Sequence, residues 1–349
     1  MRNSLIIILL ILLLAISFVL ANVFGATSLD FVGIVSGSAQ DDLKILWDIR
    51  LPRLVTGGLI GIHFAIAGAL LQLVTRNALA DPGLLGVSGG AILGMTIFIL
   101  FEIYLSLFLM EESYRLSLDY MPLVALIGGT LGGILVFALT WKKGLSPRRF
   151  ILIGITLSAF FHALSFGLIL GWGPTKSELL WVWIAGSLYG ASWNSFSQLW
   201  PWSIIAVVLL LILFRRLSLL RLDDDSAATR GLSVEYWRFT ALLLACLFAC
   251  TAVGVAGPVG FIGLVVPHLA RRLIQSNLPL YFCAVFLIGA NLAISADAIG
   301  RYFFRPAEIP VGIITSLIGA PVLFALLFPV DLSRIKNIFA KNKQTENKS

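Results

Sequence analysis

Gly257-Pro-Val-Gly-Phe-Ile-Gly-Leu-Val-Val-Pro-His-Leu-Ala-Arg271 contains an apolar run that is too short to match its neighbours. Residues 259–270 would make about 18 Å of helix at 1.5 Å per residue, against ~30 Å of bilayer hydrocarbon. Gly254, Gly257, Pro258, Gly260 and Gly263 crowd its start. The expectation is a broken or partly re-entrant helix, an arrangement tolerated at membrane depth only where protein or water satisfies the freed backbone groups. Runs of full length flank it, at 237–256 and 280–300.

The same reading, carried outward along the chain, gives ten apolar segments: 5–24, 54–74, 84–108, 122–141, 150–170, 193–214, 237–256, 259–270, 280–300 and 311–329. Composition agrees, with 59% hydrophobic and 12% charged residues in 349 and mean hydropathy +0.97. A soluble domain carries roughly a quarter charged residues. The fold class is therefore an all-α polytopic membrane protein of about ten transmembrane helices in a compact bundle. It forms one membrane domain, with residues 1–330 as the bundle, 215–238 as a polar segment between spans and 331–349 as a polar tail expected to be disordered. The first apolar run exceeds the 7–15 residues of a signal-peptide core and is read as a retained helix.

Charge sets the expected orientation. Assigning alternate loops to two sides puts 18 of the 25 Lys and Arg on the side holding both termini and seven on the other. Cytoplasmic loops carry the basic excess, so both termini are expected in the cytoplasm of a bacterial plasma (inner) membrane. The net charge of +7 is dispersed in these short clusters rather than along one polar face, which argues against a nucleic-acid partner. Membrane lipid is the partner that the composition demands.

Several chemistries find no footing. Cys246, Cys250 and Cys283 lie in apolar runs without CxxC spacing, and His63, His162 and His268 stand apart from one another, so no metal site is expected. No catalytic residues are expected, since the spans hold neither paired carboxylates nor a nucleophile with its base. Glu102 and Asp297 sit near span ends, and no carboxylate occupies a span centre. This disfavours an ion-coupled secondary transporter, the principal alternative from another class. Glycines at helical spacing, such as Gly57, Gly58 and Gly61, or Gly128, Gly129, Gly132 and Gly133, suit close helix packing.

Between the sixth and seventh segments, Asp223-Asp-Asp-Ser-Ala-Ala-Thr-Arg-Gly231 reads as a short capped helix ended by glycine. From composition alone it is equally a solvated loop helix or a docking helix for a partner.

Four stretches carry a family resemblance: Arg50-Leu-Pro-Arg-Leu54, Arg76-Asn-Ala-Leu-Ala-Asp-Pro-Gly-Leu-Leu-Gly-Val-Ser88, the 257–271 stretch above, and Glu308-Ile-Pro-Val-Gly-Ile-Ile-Thr-Ser-Leu-Ile-Gly-Ala-Pro321. In this order they resemble the signature stretches of the FecCD family, the permeases of iron-siderophore, haem and cobalamin ABC importers. The resemblance implies a type II ABC importer permease that pairs with a second copy or a paralogue. It also implies two cytoplasmic ABC ATPase subunits and an extracytoplasmic substrate-binding protein as partners. The chain has no G-x-x-x-x-G-K-[ST] loop, so it cannot cradle ATP phosphates in the P-loop manner; no cofactor is expected on this chain, and the resemblance implies that ATP is used by the partner ATPase.

The resemblance assigns residues as well. Residues 222–234 are similar to the family's coupling-helix region, with Asp224, Ala227 and Gly231 matching, Asp223 where Gly is usual and Arg230 where Leu is usual. Arg50, Arg53 and Arg301 match outer basic positions that pair with a binding protein, and helix-end anchoring is their other reading. The translocation path implied for the fifth and tenth spans offers Ser158, Ser165, Thr315 and Ser316, for which helix packing is an equal explanation. An iron-siderophore chelate is the expected cargo, with haem or cobalamin as alternatives.

Overall fold

The chain was analysed as a computed structural model that describes residues 2–25, 29–83, 86–109, 120–141, 147–171, 183–275, 277–304 and 307–327. Its helices, in chain order, are α1 (Arg2–Val23), α2 (Phe31–Ser36), α3 (Gln40–Lys44), α4 (Leu51–Thr75), α5 (Val87–Leu109), α6 (Met121–Trp141) and α7 (Pro147–Gly171). There follow α8 (Trp193–Leu219), α9 (Asp224–Thr229), α10 (Val234–Ala256), α11 (Ile262–Leu273), α12 (Leu278–Tyr302) and α13 (Val311–Leu327). Each of the ten expected segments contains a helix among the described residues, the eighth beginning only at Ile262. Seven helices are long and apolar enough to cross a membrane by length and composition, and shorter apolar helices lie at Val87–Glu102 and Val311–Ala325. The expected tail at 331–349 lies outside the described residues.

The bundle is built around α4. After Arg53 this helix carries no charged residue and is buried on nearly every side, so it reads as apolar all round rather than amphipathic. It packs against α8, α10, α11 and α12. Small residues allow the closest of these approaches: a Cβ added to Gly289 of α12 would lie 2.6 Å from the Gly61 carbonyl oxygen of α4. The α5–α6 pair closes similarly, since a Cβ on Gly128 would lie 2.5 Å from the Gly90 oxygen. α4 also starts earlier than its apolar run. α3 runs through a π-helical turn, Ile45–Arg50, directly into Leu51, and Trp47 on that turn receives the Trp193 indole N–H at 2.9 Å.

The break before α11 is present. α10 ends at Ala256, Gly257 and Phe261 adopt left-handed φ of 74° and 66°, and the twelve-residue α11 follows. The freed backbone groups are satisfied from within the protein. Ser187 N–H reaches the Ala256 oxygen at 2.8 Å, Gly257 N–H the Val253 oxygen at 2.8 Å and Gly312 N–H the Gly186 oxygen at 2.9 Å. The segment before α8 and the start of α13 therefore fill the space that a half-length helix leaves. Within the bundle, His63 of α4 is fully buried and held by the Phe248 oxygen at 2.8 Å and the Ser203 hydroxyl at 2.7 Å. It joins α4, α8 and α10 as a satisfied core histidine.

Candidate functional site

One end of the bundle carries α9. Asp223 caps this six-residue helix by accepting from the Ser226 N–H at 3.1 Å, and hydrogen bonds from the Ser226 side chain and backbone hold its carboxyl below the ordinary range. At the other terminus Gly231 takes φ of 77°, the left-handed conformation that ends helices at little steric cost. Ala227 is fully buried, whereas Asp225, Ala228, Thr229 and Arg230 face outward. The short helix thus seats on the bundle through Ala227 and leaves its opposite face exposed.

Asp224 holds that seat in place. Its Oδ1 receives Arg76 Nη2 at 2.5 Å and Arg238 Nη2 at 2.9 Å. Arg76 also donates to the Leu222 carbonyl. Arg76 is the left-handed C-terminal residue of α4, with φ of 48°, and Arg238 belongs to the first turn and a half of α10. One carboxylate therefore ties α9 to two helices of the bundle. The two pairs span 148 and 14 residues, and only the shorter interval is within reach of local pattern. Beside Arg76, the Asp81 carboxylate accepts from the Gly83 N–H at 2.8 Å in an Asp-Pro-Gly turn. Burial pushes the Asp81 carboxyl up to about 6.

The opposite end gathers Arg50, Arg53 and Arg301, all buried, at 3%, 9% and 5% exposure. Arg53 Nη2 contacts Asp297 Oδ1 at 2.8 Å, Arg53 Nη1 contacts Glu308 Oε2 at 2.9 Å and Arg301 Nε contacts Asp297 Oδ2 at 2.9 Å. Arg50 donates to the Asn22 carbonyl and Arg301 to that of Ala21 at 3.4 Å, which serves the open carbonyls at the end of α1. Two arginines and two carboxylates thereby lock α4, α12 and the approach to α13, while α1 is pinned from the side. Asp297 was the residue whose importance sequence alone understated. Its Asp297–Arg301 spacing of four on a helix was the available signal.

The small polar residues proposed for a path are distributed unevenly. Ser158 is buried and bonds the Gly86 N–H at 2.8 Å and the Gly83 oxygen at 3.2 Å. Ser165 and Thr315 are buried and donate to the Phe161 and Gly312 oxygens of their own helices, and Ser316 is half-buried. The exposed face of α7 carries a row of small residues, Thr156, Ala159, Ala163 and Gly167, beside the bulky Leu152, Ile155, Phe160, Leu164 and Leu170. No group of His, Cys, Asp or Glu among the described residues is placed to hold a metal ion.

Residues 7–328 match the FecCD transport family. The chain is 39% identical to the iron-uptake system permease protein FeuC of Bacillus subtilis over 286 residues, covering 81% of this chain and 84% of the relative. It is 37% identical to the iron(3+)-hydroxamate import system permease protein FhuG of the same organism, over 83% and 85%. A solved structure assigned to the metal-chelate type of ABC transporter, in an inward-facing conformation, superimposes with a TM-score of 0.76 at 29% identity, covering 93% of this chain and 99% of the other. With the short capped helix at one end, the arginine–carboxylate lock at the other and a match that runs from α1 to α13, the chain belongs to the FecCD transport family.

Proposed function

We propose that this chain is the transmembrane permease of an ABC importer that brings an iron-siderophore complex across the bacterial plasma membrane. The observation that carries the reading is the end-to-end match with permeases whose names specify iron uptake and iron-hydroxamate import. In this reading both termini and the α9 end face the cytoplasm, which the distribution of basic residues supports. ATP is bound and hydrolysed on separate ATPase subunits.

The geometry supports a division of labour. α9, with Asp224, Ala227 and Gly231, forms the contact through which an ATPase moves the permease. Because Asp224 is ionically tied to both α4 and α10, displacement of α9 is passed to the central helix of the bundle rather than absorbed by a loop. Such a movement shifts the population between inward-open and outward-open states. The outward row of small residues on α7 suits a path shared with a second copy or paralogue, since short side chains let a bulky chelate pass without holding it. Ser158 supports that wall from behind through its bonds to Gly86 and Gly83, while Ser165, Thr315 and Ser316 keep their hydroxyls on their own helices.

The far end is the docking face for the substrate-binding protein. Arg50, Arg53 and Arg301 serve it through exchange of partners. An incoming carboxylate takes the place of Glu308, the most accessible member of the cluster with 27% of its side chain exposed, so one ion pair replaces another and no arginine is left bare.

The test is iron supply in the host. Deleting the chain abolishes uptake of radioactive iron presented as a ferric siderophore under iron limitation, and a plasmid copy restores it. Full uptake in the deletion strain, with no second permease expressed, overturns the reading.

A further inference from the structure

At the α9 end, between the last turns of α4, the residues that follow α8, the end of α11 and the first turns of α12, lies a cavity of about 370 Å³, within the roughly 300–1,000 Å³ of small-molecule sites. Arg76, Arg221 and Arg271 line it and no carboxylate does. Arg76 is engaged by Asp224, but neither Arg221 nor Arg271 has a carboxylate partner among the described residues. Arg271 lies over the Tyr281 ring, 5.9 Å from its centroid. The N-terminus of α12, a 25-residue helix, opens on the same space and adds the positive end of its dipole.

Two buried polar atoms in this wall are incompletely satisfied. Tyr281 Oη interacts with the Arg271 guanidinium, which can only donate to it, and neither Tyr281 Oη nor Gln72 Oε1 makes a hydrogen bond of good geometry, although Tyr281 is 8% and Gln72 3% exposed. An unsatisfied buried polar atom is costly, and here the two have complementary needs: the phenol requires an acceptor and the amide oxygen a donor. The remaining wall is apolar, including Leu73, Leu278 and Phe282. It continues through the Phe214–Phe282 ring contact, with centroids 5.7 Å apart, onto the exposed apolar surfaces of α8 and α12 at Leu211, Ile212 and Phe286.

We propose that this cavity is a binding site for the headgroup of an anionic phospholipid bearing a free hydroxyl. The phosphate takes Arg221, Arg271 and the Tyr281 hydroxyl, the headgroup hydroxyl donates to Gln72, and the acyl chains lie along the apolar groove between α8 and α12. The apolar exit favours a lipid over a soluble phosphate or an acidic segment of a partner, both of which would leave that groove in contact with solvent or hydrocarbon. The proposal rests on the chain spanning a membrane and is independent of its cargo.

The experiment is calorimetric titration of the purified full chain in neutral-detergent micelles with short-chain phosphatidylglycerol, matching phosphatidylcholine, and inorganic phosphate. With each arginine near a membrane surface contributing about 1 kcal/mol, or roughly fivefold, the double variant R221Q/R271Q weakens phosphatidylglycerol binding about 30-fold. Y281F, which preserves the ring and its packing, weakens it about tenfold, the worth of one bond to a charged group. Equal binding of the two lipids overturns the proposal, as does unchanged binding in Y281F. Inorganic phosphate binding as tightly as the lipid reassigns the site to a soluble anion. Loss of ATPase co-purification in R221Q/R271Q, with lipid binding intact, makes the arginines a protein contact and overturns it as well. None of these readouts involves transport, so failure here is separate from failure of the permease reading.

Discussion

At the scale of single residues, the chain places its few buried charges where each has a defined partner. Asp297 is the clearest case, because it neutralises Arg53 and Arg301 together in a site where all three are buried. Replacing it by Ala takes the carboxylate from Arg301 and leaves Arg53 with Glu308 alone, and breaking a buried pair from one side costs about 3–5 kcal/mol. The expected result for Asp297→Ala is a large fall in thermal stability of the purified chain, with a smaller fall for Asp297→Asn; an unchanged melting temperature would show that the cluster is wetter than its geometry implies. Asp81 makes the opposite prediction. Its carboxyl, raised from 3.8 to about 6 by burial, binds a proton more readily folded than unfolded. Its contribution is therefore fully present below the unfolded value and is lost as pH rises through the folded one. Between about pH 5 and pH 7.5 the loss amounts to ~1.4 kcal/mol. Asp81→Asn keeps an acceptor for the Gly83 N–H and should flatten this pH dependence in melting curves, whereas a dependence as steep as wild type would assign it to another group.

At the scale of elements, hydropathy made the ten helices legible because each must bury its own backbone bonds in an apolar run. The glycine cluster at 254–263 announced the break before α11 for the same reason, since Gly257 occupies a conformation that favours glycine. Phe261, with its φ of 66°, carried no such announcement. The partners of charged residues were illegible. Arg53 and Asp297 stand 244 residues apart, and nothing in local spacing joins them. The capped helix α9 was readable from Asp223 and Gly231, but its seating was not, because Arg76 meets Asp224 only after α4 and α10 have packed. That seating can be tested directly. Asp224→Ala releases both arginines, and Ala227→Glu forces a charge into a fully buried position. Both variants are expected to insert normally, to leave ATP hydrolysis by the assembled complex in place and to lower uptake per ATP several-fold. Unchanged coupling in both would remove α9 from the transmission path.

At the scale of the whole molecule, the two ends differ in construction. One is pinned by a buried lock of arginines and carboxylates, while the other carries a short helix seated by the buried Ala227 and tied to α4 and α10 through Asp224. The outer surface fits a membrane setting, with α1 exposing Leu5, Ile8, Leu9, Leu12 and Ile16. Position along the path was the least legible property. Ser158, Ser165 and Thr315 look identical to wall residues in sequence, and only the packed bundle shows that their hydroxyls are bonded inward while Thr156, Ala163 and Gly167 face out. The proposal that ATP on a separate subunit drives transport is tested most directly by uptake of a ferric siderophore into proteoliposomes in which this chain is reconstituted with an ABC ATPase and a substrate-binding protein from the same host. The expected result is uptake that requires ATP on the ATPase side and does not respond to an imposed ion gradient; uptake that persists without ATP and follows the gradient would contradict it.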